Sequence, residues 1–215
     1  MKEKLHSYRK TYKKHELLEE ETGKDPFELF RTWLREVEAT REVEEVNTMT
    51  VSTIGPDGYP KARIVLLKEF DDQGFVFYTN YNSEKGKAIE VNPKVCLSFF
   101  WPGSERQVII KGIAKKISEE ESTLYFHSRP RGSQLGAWAS EQSRIIPSQG
   151  FLEDRLKSLE EEYQNITIPK PPHWGGYKVH PVDFEFWQGR PNRLHDRILF
   201  SRENDLNWKL NRLAP

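Results

Sequence analysis

Apolar positions recur with two different periods along the chain, and the helical period appears first. Asp25 in an N-cap position and Pro26 at the first helical position are typical of a helix start. The apolar residues that follow have the i, i+3, i+4 and i+7 spacing of one helix face: Phe27, Phe30, Trp33, Leu34 and Val37. The pattern predicts an amphipathic helix that packs its apolar face on another element.

Short segments rich in β-branched and aromatic residues follow, and they predict strands. Three pairs of neighbouring segments are joined by short links of turn residues, at 55–58, 71–74 and 102–104. Links of this length join antiparallel strands in hairpins, because a parallel pair needs a much longer crossover. The nine predicted strands are 49–54, 62–70, 75–79, 95–101, 107–117, 177–180, 184–188, 197–201 and 207–213.

Three further helices are predicted around these strands. Ser83 is a suitable N-cap for a helix that runs to Val91. Ser118 and Glu121 have the spacing of a capping box, which begins a helix through Phe126, and residues 151–163 form an amphipathic pattern. Nine short strands in mostly hairpin order predict a mainly β (α+β) fold, an antiparallel barrel with peripheral helices.

The chain divides into an arm and a body. The first 24 residues have little apolar periodicity and predict a mobile arm, in which 13–21 is the segment most compatible with a helix. Residues 25–215 contain no repeat and no linker of the kind that separates domains. We therefore predict a single domain for residues 25–215.

The charge balance excludes several classes of partner. Lys plus Arg and Asp plus Glu both number 33, so the formal net charge is zero and no general field would hold nucleic acid or an anionic membrane. The uncharged apolar runs are far shorter than the roughly 20 residues of a spanning helix. The N-terminus lacks the apolar core of a secretory signal, so we expect a cytoplasmic protein. The histidines and the single cysteine lack the spacing of a metal site.

Cationic side chains among the predicted strands and turns are the remaining candidates for chemistry. Arg63 and Lys68 lie on opposite faces of one predicted strand, so each needs its own partner unless both are solvated. Tyr125 and Arg129 are four residues apart at the end of a predicted helix, with Ser133 just beyond it. A phenol, a guanidinium and a hydroxyl together suit a phosphate monoester. An Arg at a helix C-terminus also complements the helix dipole, which is the alternative.

A third group of cations lies near the C-terminus. Arg193, His195 and Arg197 would share one face if this segment were extended. Three potential cations on one face repel each other, so this arrangement predicts an anion or an electron-rich ring between them. The alternative is a loop in which the charges point apart and Asp196 pairs with one of them.

Seven motifs along the chain resemble those of one enzyme family. They are RIVLLK at 63–68, FYTN at 77–80, ERQV at 105–108, YFHSRPR at 125–131, FWQG at 186–189, RLHDR at 193–197 and the terminal RLAP. From about residue 9 to the end, the chain resembles the pyridoxine/pyridoxamine 5'-phosphate oxidases. The resemblance implies a split β-barrel with a C-terminal dimerisation region, in a homodimer with FMN at the interface. It also implies oxidation of pyridoxine or pyridoxamine 5'-phosphate to pyridoxal 5'-phosphate, with O2 as the acceptor and H2O2 as the second product.

The resemblance further implies site residues at the positions of these motifs. FMN would contact Arg63, Ile64, Val65, Leu66, Leu67, Lys68, Tyr78, Thr79, Lys85, Gln107, Gln142, Ser143, Trp187 and Arg197. The substrate phosphate would bind Lys68, Tyr125, Arg129 and Ser133. The pyridine ring would lie on the flavin, under the implied catalytic residues Arg193 and His195 and beside Leu194, and the lid over it would be Arg9, Lys10, Thr11 and Tyr12.

One position departs from the family pattern. Many members have Arg where this chain has Glu84, and that Arg helps to hold the FMN phosphate. Lys85 and Lys87, with the helix start at Ser83, can supply the missing positive potential. The alternative is weaker FMN binding, and we favour the first interpretation.

Two other functions fit the same fold. A split-barrel flavin reductase would act on a different substrate, although segments 125–131 and 193–197 match the substrate site of the family and not only its flavin site. A non-catalytic carrier of FMN or pyridoxal phosphate would keep the binding residues without turnover.

Overall fold

The computed structural model describes residues 5–8, 10–203 and 207–215, which contain five α-helices and nine strands. The helices are α1 (Pro26–Thr40), α2 (Glu84–Val91), α3 (Glu119–Ser128), α4 (Arg131–Ala139) and α5 (Gln149–Glu162). The strands are β1 (Thr48–Ile54), β2 (Pro60–Leu66), β3 (Glu69–Asp71), β4 (Gly74–Asn80), β5 (Lys94–Trp101), β6 (Arg106–Lys116), β7 (Trp174–Gln188), β8 (Asp196–Arg202) and β9 (Trp208–Arg212). No helix within these described ranges is long and apolar enough to cross a bilayer.

The strands form one hydrogen-bonded sheet. Its order is β2-β1-β5-β6-β7-β4-β3, and β8 pairs with both β7 and β9. The pairs β3–β4, β4–β7, β7–β8 and β8–β9 are antiparallel. The links predicted at 55–58, 71–74 and 102–104 each join strands that are neighbours in the sheet. The prediction of a mainly β, antiparallel fold with peripheral helices is confirmed.

The chain forms two compact units from interleaved segments. The first unit contains residues 1–49, 97–111 and 181–215, and the second contains residues 50–96 and 112–180.

In the first unit, α1 has the apolar face that its sequence predicts. The Phe27 N–H donates to Asp25 Oδ1 at 2.9 Å, which fixes the start of the helix. Three rings of α1 pack edge-on against three rings of the strands, at centroid distances of 5.1, 5.0 and 5.2 Å: Phe27 on Phe184, Phe30 on Phe99 and Trp33 on Phe186. Each fully buried ring stabilises the fold by about 1.5–3 kcal/mol relative to an exposed one.

In the second unit, a smaller apolar cluster holds α3, α4 and α5 together. The predicted capping box is present, because Ser118 N donates to Glu121 Oε2 at 3.0 Å and Glu121 N donates to Ser118 Oγ at 3.1 Å. The buried members of the cluster are Phe126, Leu135, Ile168 and Trp174, and Leu156 and Leu159 of α5 pack against them. The cluster therefore joins the three helices to the beginning of β7.

Two predicted strand boundaries are wrong because strands change partners. The segment predicted as one strand at 62–70 forms two, since β2 ends at Leu66 and β3 begins at Glu69. The segments predicted separately at 177–180 and 184–188 are one strand, β7, although Pro181 has no N–H to donate. Because β7 pairs with β4 up to Val179 and with β8 from Asp183, the proline lies between the two ladders and interrupts neither.

The sequence does not predict α4. This helix begins after Pro130, which makes no side-chain hydrogen bond to the helix. Gly132 and Gly136 within it lower its intrinsic helix propensity. Its stability comes from packing, because Leu135 is buried in the cluster of the second unit.

The described part of the N-terminal arm is irregular and packs on the first unit. The predicted helix over 13–21 is wrong, because residues 10–18 contain no helix and a turn follows at 19–22. Leu17 is buried, and its N–H donates to Asp196 Oδ2 at 3.1 Å. The arm thus has an apolar anchor and a polar one.

Candidate functional site

A cavity of about 470 Å³ lies in the second unit. Its walls come from the end of β2 and the residues after it, from β4, and from helices α2, α3 and α4. Eleven of the predicted site residues line it: Ile64, Val65, Leu66, Lys68, Tyr78, Thr79, Lys85, Tyr125, Arg129, Ser133 and Gln142. The other lining residues, which the sequence does not indicate, are Asn80, Gly136, Ala137, Ser140 and Trp174.

The first turn of α2 is held rigidly in one wall of this cavity. Ser83 is the N-cap, and its Oγ accepts a hydrogen bond from Gly86 N at 3.3 Å. Gly86 approaches the Tyr81 backbone so closely that no side chain would fit there. These two contacts fix the direction in which Lys85 leaves the helix.

Lys85 is a buried cation with neutral partners. The residue is 8% exposed, and its Nζ donates to Thr79 Oγ1 and to Gln142 Oε1, both at 3.0 Å. Burial, together with the nearby charge of Arg63, lowers the pKa of Lys85 to about 8. No carboxylate of the described chain forms an ion pair with it, and the adjacent Glu84 pairs with Lys61. A buried ammonium without an ion-pair partner is costly, so this environment favours an anionic ligand.

Arg129 is a second cation in the same cavity, and its side chain is half-buried. Its guanidinium lies over the Trp174 ring at 4.7 Å from the centroid. Its Nη1 is buried and has no hydrogen-bond partner within the described residues, and burial lowers the pKa of the guanidinium. An unsatisfied buried donor costs stability unless a ligand accepts from it. Arg129 therefore also favours an anion.

Aromatic rings form one side of the cavity. Tyr78 stacks on Tyr125 at 3.9 Å and on Trp174 at 5.3 Å between centroids. Burial and the charge of Glu69 raise the pKa of Tyr78 to about 12, so its phenol stays neutral. Trp174 belongs to none of the recognised motifs, and only the fold brings it to the two tyrosines.

The segment after α3 differs from its predicted conformation. Arg129 is not on the last turn of the helix, since α3 ends at Ser128 and Arg129 has extended backbone angles, φ −75° and ψ 150°. Ser133 lies in the first turn of α4, where its N–H donates to Pro130 O at 2.8 Å. Tyr125, Arg129 and Ser133 still line one cavity. They meet at the junction between α3 and α4, and not on one face of a single helix as the i, i+4 spacing predicted.

Arg63 does not line this cavity, although its charge acts on Lys85. Its Nη1 donates to Thr53 Oγ1 and to Lys61 O, both at 2.7 Å. Burial lowers the pKa of Arg63, and the negative charge of Glu84 partly offsets this effect. Glu84 itself pairs with Lys61 Nζ at 2.5 Å. Its carboxylate therefore reduces the positive potential that Arg63 and Lys85 create.

Three other residues assigned to FMN contacts lie outside the lining. The Leu67 side chain is buried in the core. Ser143 has a left-handed backbone with φ 74°, and its Oγ accepts from Glu84 N at 3.3 Å. Gln107 belongs to β6 within the first unit.

A second group of predicted residues meets in the first unit. Trp187 and His195 have ring centroids 4.8 Å apart, and the Tyr12 ring lies edge-on to both at 5.7 Å. Arg190 N donates to His195 Nδ1 at 3.1 Å, so the neutral imidazole has its proton on Nε2. Burial and the charge of Arg193 lower the pKa of His195. His195 can therefore donate a hydrogen bond from Nε2 while uncharged.

The prediction that Arg193, His195 and Arg197 share one strand face is wrong. Residues Pro191–Arg193 form a 3-10 turn, in which Arg193 has φ 64°, and β8 begins only at Asp196. The alternative pairing is also wrong, since Asp196 pairs with Arg190 at 3.4 Å and with Arg212 at 2.8 Å. The Arg197 guanidinium pairs with Glu185 at 2.8 Å. The turn separates the charges that an extended strand would have aligned.

The remaining predicted residues lie in the N-terminal arm and just after the 3-10 turn. Lys10 Nζ lies 3.3 Å from Glu105 Oε1, Thr11 precedes the Tyr12 that contacts Trp187, and Leu194 is exposed. Arg9 lies outside the described residues.

Comparison with known proteins identifies the family. The family described as "Pyridoxamine 5'-phosphate oxidase" matches residues 34–162, which is more than half of the chain. The chain belongs to this family. A "Pyridoxine 5'-phosphate oxidase C-terminal dimerisation region" matches residues 174–215.

Curated relatives of the family match the chain over nearly its whole length. A pyridoxine/pyridoxamine 5'-phosphate oxidase of Flavobacterium johnsoniae is 61% identical over 210 residues, which is 98% of each chain. One from Christiangramia forsetii is 55% identical over 215 residues, which is 100% of each chain. The motifs recognised in the sequence therefore belong to a full-length similarity.

Solved structures support the split-barrel fold of the family. A structure of PhzG from Burkholderia lata in complex with tetrahydrophenazine-1-carboxylic acid has a TM-score of 0.85 and 26% identity, and the match covers 93% of this chain and 98% of that one. A pyridoxamine 5'-phosphate oxidase-related, FMN binding protein from Nostoc punctiforme has a TM-score of 0.70 at 16% identity, with coverage of 88% and 98%. The fold class predicted from the sequence is confirmed.

Proposed function

We propose that this chain oxidises pyridoxine or pyridoxamine 5'-phosphate to pyridoxal 5'-phosphate with FMN as cofactor and O2 as acceptor, releasing H2O2. The names of its full-length relatives support the reaction. The strongest observation in the structure is a pair of cations in one cavity, the buried Lys85 and the half-buried Arg129, neither of which has a carboxylate partner in the described chain. Two phosphate esters, one on the cofactor and one on the substrate, would supply the missing negative charges.

The cavity residues fit a flavin phosphate on one side. Lys85 would bind the phosphate, with Thr79 and Gln142 already placed as neutral hydrogen-bonding groups around its ammonium. Arg63, which does not line the cavity, would add positive potential, as its effect on the pKa of Lys85 indicates. These residues would hold FMN without the Arg that many family members have at position 84, because Lys85 and Arg63 supply positive charge that Glu84, paired with Lys61, only partly offsets.

The other side of the cavity fits the substrate phosphate. Arg129 has an unsatisfied Nη1, and Lys68, Tyr125 and Ser133 line the same cavity. A guanidinium, an ammonium and two hydroxyl groups can satisfy the oxygens of a phosphate monoester. These residues would orient the substrate so that its reacting carbon is held in place.

FMN, when bound, supplies the redox chemistry, accepting a hydride from the substrate carbon and passing the electrons to O2. The protein residues orient and polarise the substrate. We assign this role to Arg193 and to His195, whose Nε2 is a donor in the neutral imidazole because Nδ1 accepts from Arg190 N. Tyr12 would close over the ring as part of the arm, and Trp187 and Arg197 would contact the cofactor.

We also propose a homodimer with FMN at the subunit interface. The match of residues 174–215 to a C-terminal dimerisation region supports this assembly.

A steady-state assay tests the proposed function. The protein is purified, loaded with FMN and supplied with pyridoxamine 5'-phosphate in air, and pyridoxal 5'-phosphate and H2O2 are measured together. We expect both products in equal amounts, and a very poor rate with unphosphorylated pyridoxine. Flavin binding without turnover would instead indicate a carrier, and equal rates with and without the substrate phosphate would contradict the role of Arg129.

A further inference from the structure

Glu105 occupies an unusual place at the end of the turn between β5 and β6. Its side chain is 2% exposed, although it is a carboxylate. Its backbone is left-handed, with φ 56°, and its N–H donates to Pro102 O at 3.3 Å. Glycine adopts this conformation at lower cost than a residue with a side chain. The turn therefore keeps a buried acid at a position where backbone geometry favours glycine.

The Glu105 carboxylate binds the backbone of the N-terminal arm. Lys13 N and Lys14 N both donate to its Oε2, at 2.8 and 3.0 Å, and Lys10 Nζ lies 3.3 Å from Oε1. Burial alone would raise the pKa of Glu105, but these three donors lower it. Two consecutive backbone N–H groups on one carboxylate oxygen fix the course of the arm more strictly than side-chain contacts do.

The same residue holds the loop that follows β7. Gly189 N donates to Glu105 O at 2.8 Å, and Gln188 Nε2 donates to it at 3.1 Å. Gly189 in turn lies against the Tyr12 ring, where an added Cβ would be 2.8 Å from Tyr12 Cγ. Glu105 thus binds both the arm and the loop on which the arm rests.

We propose that Glu105 is a positioning residue that holds the arm so that the Tyr12 ring lies over Trp187 and His195. Tyr12 stands between Lys10 and Lys13, both of which bind the carboxylate, so its place along the chain is fixed from both sides. The role in turnover rests on the proposed function, because there Tyr12 and His195 enclose the substrate. The role in ordering the arm does not depend on the proposed function.

The rest of the arm has its own anchors. Arg190 pairs with Glu16 at 2.6 Å, and Leu17 N donates to Asp196 at 3.1 Å. These contacts do not involve Glu105. Loss of the Glu105 carboxylate is therefore expected to release residues 10–14 and to leave Glu16 and Leu17 in place.

Limited proteolysis of the whole FMN-loaded protein tests this local release. Trypsin cleaves after Lys13 and Lys14, and Glu105→Gln removes the charge with little change in size. We expect cleavage there to become about tenfold faster, because charge-assisted hydrogen bonds hold the segment closed. The matched control is Glu42→Gln, which removes the exposed ion pair of Lys14 at 3.0 Å and should change the rate less than about twofold.

Either of two proteolysis results would overturn the anchoring role. One is a cleavage rate in Glu105→Gln equal to that of the parent, and the other is an equal acceleration in Glu42→Gln. A thermal melt separates local release from general unfolding, since local release leaves the main transition within a few degrees of the parent. If Glu105→Gln fails to fold, Glu105→Asp replaces it, since aspartate retains the charge on a shorter side chain. This variant is expected to be cleaved faster than the parent protein, and a cleavage rate equal to that of the parent would contradict the proposal.

A double-mutant cycle tests whether Glu105 acts through Tyr12. In the otherwise native chain, Glu105→Gln should raise KM for pyridoxamine 5'-phosphate by about tenfold and change kcat less. In a Tyr12→Ala background the same substitution should change KM less than about twofold, because no ring remains to be positioned. Equal increases in both backgrounds would overturn the positioning role. If the parent does not oxidise this substrate, the proposed function fails, while the proteolysis still tests the anchor.

Discussion

Replacement of Lys85 by Met separates the stability of the protein from its ability to bind cofactor. Lys85 is 8% exposed, and burial lowers its pKa to about 8 from an ordinary value of 10.5. This difference corresponds to about 3–3.5 kcal/mol against the charged form. Methionine has a similar shape and no charge, so the apoprotein should melt at the same temperature or a few degrees higher. The cofactor phosphate loses a charge-assisted hydrogen bond of about 1.5–3 kcal/mol, so Kd for FMN should rise about 10- to 150-fold.

The assay is a titration of apoprotein with FMN, followed by quenching of flavin fluorescence, beside a thermal melt without cofactor. From the sequence, Lys87 is expected to add positive potential, but it is exposed and does not line the cavity. Lys87→Met is therefore the matched control on the same helix, and its Kd should stay within about twofold. A Lys85→Met protein that binds FMN as tightly as the parent would refute the assignment of Lys85 to the cofactor phosphate. A marked loss of apoprotein stability would refute the view that Lys85 is a buried charge lacking its partner.

Four other outcomes follow from the proposed roles of the site residues. The pKa of Lys85 is depressed to about 8, so its charge is lost as pH rises through that value. Affinity for FMN should therefore fall up to about tenfold between about pH 7 and about pH 9. A Kd that does not change over this range would contradict the prediction. Arg129→Ala should raise KM for pyridoxamine 5'-phosphate about 100-fold with little change in Kd for FMN. A large rise in Kd for FMN with an unchanged KM would show that Arg129 binds the cofactor phosphate instead of the substrate phosphate. Arg193→Ala should lower kcat far more than it weakens FMN binding, and equal losses in both measurements would exclude a role on the substrate alone. Glu84→Gln should tighten FMN binding about twofold at low salt, since Glu84 opposes the positive charges of the site; weaker binding would show that its carboxylate is needed.

Local signals predict part of the fold and tertiary packing decides the rest. The start of α1 follows from Asp25, Pro26 and the apolar spacing, because capping and helix periodicity are properties of neighbouring residues. The sequence misses α4, since Pro130 gives no side-chain cap and packing of Leu135 stabilises the helix. Whether β7 continues through Pro181 depends on where its partner strands end, which no local pattern shows.

The candidate site divides in the same way. The family motifs identify Lys85, Tyr125 and Arg129, and the structure brings them into one cavity. Trp174 is missed, although it lies under the Arg129 guanidinium and beside two tyrosine rings, because its position depends on the start of β7 against α3. The expected common face of Arg193 and Arg197 is wrong because it assumes an extended strand, whereas a left-handed residue turns the chain at that point.

The proposed function requires this cavity to bind a flavin and a phosphorylated pyridine together. An anaerobic single-turnover measurement tests it most directly, in which pyridoxamine 5'-phosphate is mixed with the FMN-loaded protein and the yellow flavin absorbance is followed. We predict rapid loss of the absorbance with the phosphate ester, recovery when air is admitted, and almost no change with unphosphorylated pyridoxamine. An FMN-loaded protein that stays yellow with the phosphate ester would contradict the claim.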